Sequence, residues 1–350
     1  MKRYDLGAFV EPLCMWYKKN KRSMPWRDDA TPYHVWLSEI MLQQTRIEAA
    51  KSYYAKFTER LPDIQALAEV SEEELLKLWE GLGYYNRARN LQKAAKLVME
   101  RYEGRLPADY DLLLELPGIG NYTAGAIASI AYGVPAPAVD GNVLRVAMRY
   151  LNCDDDIMKQ SVRRQMEKSI MEVIPQQQPG EFNQALMELG EVICIPNGKP
   201  LCKKCPLVDI CLGHKAGREM QLPVKRDKKS RRIEKKTIFV LEYEGNIAIV
   251  KRPDKGLLAG LWEFPSVSGH FSMPRVKEEL AKKELVPVTV KRLADSKHVF
   301  SHVEWNMKGY FISFEREPAQ WASNLLWVAR DELKETYAIP VAFHPFLRQI

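Results

Sequence analysis

The spacing of apolar positions changes once along this 350-residue chain. Up to about residue 212 apolar side chains recur at helical intervals, which predicts helices over 32–42, 72–79, 87–102, 120–132, 142–151, 161–174 and 182–194. Pro62, Gly104, Pro107, Pro175 and Gly180 punctuate them. From residue 237 the pattern shortens to that of strands. Runs at 237–243 and 247–250 flank the turn residues Gly245 and Asn246, with further strands expected at 287–293, 297–303 and 308–314 and a helix near 275–284. Between the two halves, residues 213–236 carry ten Lys or Arg against three acids and hardly any large apolar side chain. Such a stretch is either a solvated tether or an arm that touches phosphate. The expected organisation is a mostly α domain over 1–212, a basic linker over 213–235 and an α+β domain over 236–350.

Composition narrows the classes. Hydrophobic content of 46% and charged content of 28% are those of a soluble globular protein. The net charge of +7 suits a polyanionic partner. Asp5 and Glu11 stand where a signal peptide needs an apolar stretch. The long uncharged run Leu116–Val139 is broken by Gly118, Gly120, Pro135 and Pro137, so it reads as a buried helix with loops rather than a membrane span. Of six cysteines, Cys14 and Cys153 read as plain thiols. A reducing, cytoplasmic setting is expected.

The other four, Cys194, Cys202, Cys205 and Cys211, are spaced C-x7-C-x2-C-x5-C. Four soft thiolates hold an iron–sulfur cluster or zinc. A zinc ribbon usually shows two short C-x-x-C pairs, and the single pair here favours iron and sulfur. Leu116-Pro117-Gly118-Ile119-Gly120 lies between two helices and precedes a helix rich in small residues, Ala124, Gly125, Ala126 and Ala128. Either it is an ordinary helix–helix turn or it is a hairpin whose backbone N–H groups, freed by Gly118 and Gly120, grip a phosphate. Asp140 precedes a helix bearing Arg145 and Arg149, where Asp serves as an N-cap, and a capping carboxylate can also react. Glu39 sits in Val35–Leu42, where six of eight residues are apolar. A carboxyl there is either a salt-bridged structural group or an acid kept protonated by desolvation.

These segments resemble a known family. Trp36–Thr45, Gly81–Arg89, Leu116–Ala124 and Val139–Val143 look like the adenine DNA glycosylases of the MutY family, within the helix–hairpin–helix, iron–sulfur glycosylase superfamily. Leu257–Pro265 and Phe300-Ser301-His302 resemble that family's Nudix-like 8-oxoguanine recognition domain. The resemblance implies base excision repair: hydrolysis of the N-glycosidic bond of adenine mispaired with 8-oxoguanine or guanine, by a monomer acting on an extruded nucleoside in double-stranded DNA near the nucleoid. Carried over by motif position, Glu39 protonates the adenine and Asp140 stabilises the sugar cation, with Tyr122 and Asn142 completing the catalytic group. Trp26, Arg27 and Gln184 line the adenine pocket, Gln44 and Tyr84 wedge into the duplex, Gly118 and Gly120 hold the backbone, and Phe300, Ser301 and His302 read the opposite base. One 4Fe–4S cluster on Cys194, Cys202, Cys205 and Cys211 and a cation at the hairpin are implied.

There are departures. The family's first two cluster cysteines usually enclose six residues; here there are seven, Ile195 to Leu201. Related endonuclease-III-type pyrimidine glycosylase/lyases carry Lys where this chain has Tyr122, and Leu144 supplies no amine either. The implied enzyme is therefore monofunctional. Val276–Leu280 lacks the Glu-rich signature of Nudix hydrolases, so no pyrophosphatase is expected. The competing readings are an endonuclease-III-like lyase and a non-catalytic iron–sulfur DNA-binding protein.

Overall fold

The computed structural model describes residues 4–226, 230–319, 321–322 and 324–350; part of the expected linker, 227–229, lies outside them. The chain forms two compact units. The first comprises Met1–Glu69 and Asn90–Asp227, the second Val70–Arg89 and Lys228–Ile350. A boundary at residue 212 does not anticipate that Val70–Arg89 packs with the C-terminal residues. No helix among the described residues is long and apolar enough to cross a membrane.

The first unit is helical. Helices run over Val10–Asn20, Pro32–Leu42, Ile47–Arg60, Gly141–Tyr150, Gln160–Val173 and Pro179–Val192, with shorter ones at Pro25–Asp28, Tyr110–Leu114 and Asn121–Ala126. Val10–Asn20 and Ile47–Arg60 were not anticipated from sequence, because polar and aromatic residues interrupt their apolar stripes. Pro32–Leu42 starts as its sequence dictates: Thr31 caps it by accepting from the His34 N–H at 3.2 Å, and Pro32 fills the first turn, where its missing N–H is not needed. The helix is buried from Val35 to Met41, and it packs on Asn121–Ala126 and the π-helical turn Ile127–Ala131 that continues it. Pro179–Val192 packs on Val10–Asn20 and Gly141–Tyr150. The core between them holds Phe9, Leu13, Val143, Leu144, Ala147, Phe182, Leu186 and Leu189.

The basic stretch is not a free tether throughout. Leu222 is buried and its carbonyl accepts from Arg149 Nε at 2.9 Å, while Val224 O accepts from the Ile157 N–H at 3.2 Å. A Cβ on Gly213 would stand 2.2 Å from the Arg149 carbonyl, so only glycine permits that close approach. Arg163 ties Gln160–Val173 to the residue before Asp140 by donating to Val139 O at 2.8 Å.

The second unit is a mixed seven-stranded sheet: β1 (Arg232–Tyr243), β2 (Asn246–Lys251), β3 (Trp262–Glu263), β4 (Ser266–Ser268), β5 (Pro287–Val299), β6 (Val303–Phe314) and β7 (Leu326–Ala329). The order is β3-β2-β1-β6-β5; β4 also pairs with β1 and β7 with β2. β1 and β6 are parallel over their full length, and the other pairings are antiparallel. Period-two alternation splits β1 between two cores. Ile238 and Val240 face Trp305, Phe343 and Phe346, whereas Phe239 and Leu241 face Tyr310, Ile312 and the helix Met273–Lys282 through Val276 and Leu280. The three strands expected at 287–293, 297–303 and 308–314 are two long ones. The bulge between Leu293 and Ser296 mimics a break in the pattern, and Phe300-Ser301-His302 forms the turn.

Candidate active site

Three elements of the helical unit converge on Glu39. It lies in the last turns of Pro32–Leu42 and is 7% exposed. Tyr122, from Asn121–Ala126, donates its hydroxyl to Glu39 Oε2 and contacts Met187 Sδ at 3.7 Å. Burial pushes the Glu39 carboxyl up to about 7; the Asp140 charge adds to this, while the Tyr122 hydrogen bond and the Arg27 charge pull the other way. Tyr122 is itself driven well above the usual phenol range by burial and by both carboxylates, and it stays neutral.

Asp140 is the N-cap of Gly141–Tyr150. Its Oδ1 accepts from the Val143 N–H at 2.7 Å and its Oδ2 from Asn142 Nδ2 at 2.8 Å. Burial raises its carboxyl, opposed by the Val143 and Asn142 donors and the Arg145 charge, all of which favour the anion. One side chain thus both caps the helix and places a buried carboxylate beside Glu39. The approach to Asp140 is fixed by Asn183, which is fully buried: its Nδ2 donates to Ser129 Oγ and Ala136 O, each at 2.8 Å, and its Oδ1 accepts from the Ala138 N–H at 3.2 Å. Gly190 lets Pro179–Val192 cross against Asn142, where a Cβ would sit 2.7 Å from the Asn142 Cβ.

Arg27 acts on Glu39, and its guanidinium reaches Glu188 Oε2 at 2.8 Å and lies 5.8 Å from the Tyr17 ring centroid; the adjoining Trp26 is 6% exposed and edge-on to Tyr54. Gln184 Oε1 accepts from the Tyr17 hydroxyl at 3.1 Å. Gln44 is exposed just beyond Pro32–Leu42, with φ of 62°, a left-handed conformation that a side chain adopts at a cost of about 1–3 kcal/mol. In the turn before Asn121, Leu116 and Ile119 are buried while Gly118 and Gly120 are exposed; Gly118 has φ of 81° and a Cβ there would strike Asn90 at 2.7 Å.

Cys194, Cys202, Cys205 and Cys211 are all free thiols, half-buried, and close enough that neighbouring cysteines help push the thiols of Cys202, Cys205 and Cys211 up. Burial dominates each shift and takes Cys205 up to about 12. Donors face the sulfurs: Arg149 Nη1 lies 3.3 Å from Cys194 Sγ, the Leu207 N–H points at Cys205, and the His214 and Gly213 N–H groups point at Cys211. Dry thiols surrounded by N–H donors suit metal-bound thiolates, whose charge both features then stabilise. The site is joined to the carboxylates by one helix: Arg145 bonds Asn142 Oδ1 at 2.7 Å and Cys194 O at 2.8 Å. His214 and Glu219 place donor atoms within 4.8 Å of Cys202 Sγ, a grouping that the spacing of the cysteines did not reveal.

In the second unit, Tyr84 is 51% exposed with φ of 48°, and the Arg87 guanidinium lies 5.6 Å from its ring centroid. Phe300 packs edge-on against Trp305 and His298, with centroids 4.9 and 4.6 Å away. Ser301 and His302 are exposed at the tip of the β5–β6 turn. Glu278 and Glu279 are engaged by Lys282 at 2.9 and 3.1 Å.

Sequence reasoning missed Glu188, Arg22 and Asn183. Glu188 carried the signal that had marked Glu39, a carboxylate among apolar neighbours, here Ala185, Leu186 and Leu189.

Comparison with known proteins agrees with this geometry. Residues 37–172 match the family model of the HhH-GPD superfamily base excision DNA repair proteins, and residues 237–349 match the NUDIX domain. The chain is 34% identical to the adenine DNA glycosylase of Mus musculus, covering 91% of this chain and 73% of that one. It is 35% identical to that of Buchnera aphidicola subsp. Schizaphis graminum, covering 84% of each. Among solved structures, a thermostable thymine-DNA glycosylase superposes with a TM-score of 0.53 at 29% identity, covering 60% of this chain and 96% of that one. Endonuclease III in a non-covalent DNA complex gives 0.52 at 27%, covering 60% and 95%. Similarity of this depth through both units makes the chain a member of the adenine DNA glycosylase family, with a helix–hairpin–helix glycosylase fold followed by a Nudix-like domain on a mixed sheet.

Proposed function

We propose that the protein removes adenine paired with 8-oxoguanine or guanine in duplex DNA by hydrolysing its N-glycosidic bond, leaving an abasic site. The observation that carries this is the pairing of a dry carboxyl, poised to hold its proton near neutrality, with a second carboxylate whose hydrogen bonds favour its charged form. Glu39 donates its proton to N7 of the extruded adenine, so the base departs neutral. The bond from C1′ to the base breaks with its electron pair leaving on the purine. Asp140 faces the resulting oxocarbenium, and water adds at C1′ while its proton passes to the Glu39 carboxylate, which restores the acid. Asn142 holds Asp140 in place and Tyr122 holds Glu39. Tyr122 has no amine to form a Schiff base, which disfavours the lyase reading.

Trp26, Arg27 and Gln184 enclose the adenine; Gln44 and Tyr84 occupy the space left in the stack. Gly118 and Gly120 present backbone N–H groups to a phosphate, alongside a cation at that hairpin. Phe300, Ser301 and His302 read the opposite base. Cys194, Cys202, Cys205 and Cys211 would hold a 4Fe–4S cluster, while Arg145 and Arg149 fasten the Cys194 end of that loop to Gly141–Tyr150; base hydrolysis itself moves no electrons. The enzyme acts as a monomer in the cytoplasm, on the nucleoid.

The test uses duplexes carrying adenine opposite 8-oxoguanine, guanine or thymine, followed by alkali. Cleavage of the adenine strand in the first two alone supports the proposal. Cleavage at a pyrimidine, or strand scission without alkali at the rate of base release, overturns it. A broad visible absorbance in anaerobically purified protein distinguishes the cluster from zinc.

A further inference from the structure

Glu39 and Glu188 are the two fully buried carboxylates among the described residues. The reaction above uses only the first. Glu188 is 1% exposed, on Pro179–Val192, one turn beyond Gln184. Its Oε1 accepts from Arg22 Nε, and its Oε2 accepts from Arg22 Nη2 at 3.2 Å and Arg27 Nη2 at 2.8 Å. Arg27 Nη1 is held again by the Arg22 carbonyl at 3.1 Å. The Arg27 guanidinium lies by the Tyr17 ring, whose hydroxyl returns to Gln184. One anion thus ties two cations and an aromatic ring to the helix that carries Gln184.

We propose that Glu188 is a positioning residue: it fixes the Arg27 guanidinium at the edge of the adenine pocket and balances the positive charge that Arg27 and Arg22 bring to that side of the site. This rests on the reading of Glu39 as the acid. A buried anion bonded by two guanidiniums is costly to lose, because among the described residues Glu188 is the carboxylate that ion-pairs directly with both cations. The group that senses Arg27 is Glu39, which is faced by Tyr122 from Asn121–Ala126, Asp140 from the cap of Gly141–Tyr150 and Arg27 from Pro25–Asp28. Glu188 is faced by Arg22, Arg27 and Tyr17, with Glu48 and Glu191 acting on Arg22 and Glu181 on Tyr17 from further off. Removing the negative charge of Glu188 leaves the site more cationic, which favours the Glu39 anion and strips the acid of its proton at lower pH.

The experiment is the pH profile of the single-turnover rate on duplex with adenine opposite 8-oxoguanine. Glu188→Gln keeps the shape and removes the charge. Its alkaline limb moves to lower pH, so the rate falls about tenfold near pH 8 and less than about threefold near pH 5.5. Arg22→Gln, at a partly exposed side chain, moves the limb to higher pH. The double variant Arg22→Gln/Glu188→Gln returns the limb towards the parent. A pH-independent loss in Glu188→Gln, with the double variant equal or worse, overturns the proposal and leaves Glu188 a structural residue. Should Glu188→Gln fail to fold, Arg22→Gln alone decides: an unmoved limb overturns the proposal. Full activity in Glu39→Gln would instead remove the acid on which it rests, which separates the two failures.

Discussion

The helical unit buries two carboxylates, whereas the sheet unit leaves the polar groups of one turn in solvent. Glu39 and Glu188 are buried among helices and hydrogen-bonded, the first to Tyr122 and the second to Arg22 and Arg27. The β5–β6 turn keeps Phe300 half-buried as a wall and leaves Ser301 and His302 in solvent. The contrast fits the roles proposed for the two regions. Moving a proton to a leaving base needs a group whose pKa is set by dryness, so the donor must be enclosed before substrate arrives. Distinguishing one base from another needs hydrogen-bonding groups that stay open until the nucleic acid covers them.

The strongest way to break the comparison is Asp140→Asn. Asn still caps a helix, so the fold and DNA affinity should stay near parental while the single-turnover rate falls about 10³-fold or more. Retained activity would show that the buried carboxylates are structural. Glu39→Gln should lower the rate about 10²–10³-fold and yet stabilise the protein. The folded carboxyl sits near 7 against an ordinary 4.5, so the folded state holds the extra proton. The stability that Glu39 contributes is complete below about 4.5 and is lost as pH rises through about 7, above which the ionised group costs roughly 2–3 kcal/mol. The variant escapes that loss, so its Tm advantage should grow from pH 5 to pH 8 in thermal melts; an equal or falling advantage would contradict the buried acid.

The sheet unit should answer differently. Phe300→Ala should reduce the preference for 8-oxoguanine over guanine opposite adenine by about tenfold, with the maximal rate on the guanine mispair changed by less than about twofold. An equal fall on both substrates would merge the two regions' roles. The smallest effect is expected at the surface of the helical unit. Gln44→Gly relieves the left-handed backbone and should raise stability by about 1 kcal/mol, while weakening duplex binding several-fold. Tighter binding would remove Gln44 from the interface.

The sequence was most informative where the cause is local. Glu39 stood out because six of its eight-residue surroundings are apolar, Asp140 because it precedes a helix, and the four cysteines by spacing alone. Helical periodicity located Pro32–Leu42, Gly141–Tyr150 and Pro179–Val192 to within a few residues. β3, β4 and β7 are two to four residues long and carry no readable period. The same is true of the β5 bulge, which made one strand look like two.

What this sequence determined by itself was the two periodicities, the carboxylates and cysteines available for the proposed chemistry, and the motifs that assign the chain to its family. Each is written within a few neighbouring residues, where propensity and side-chain period act directly. Only the tertiary structure decided that β1 runs parallel to β6, that Val70–Arg89 belongs with the C-terminal unit, that Tyr122 bonds Glu39 across 83 positions and that Glu188 holds Arg22 and Arg27 across more than 160. Those pairings come from burying apolar surface over long loops, and a buried charge accepts whichever opposite charge the packing brings to it.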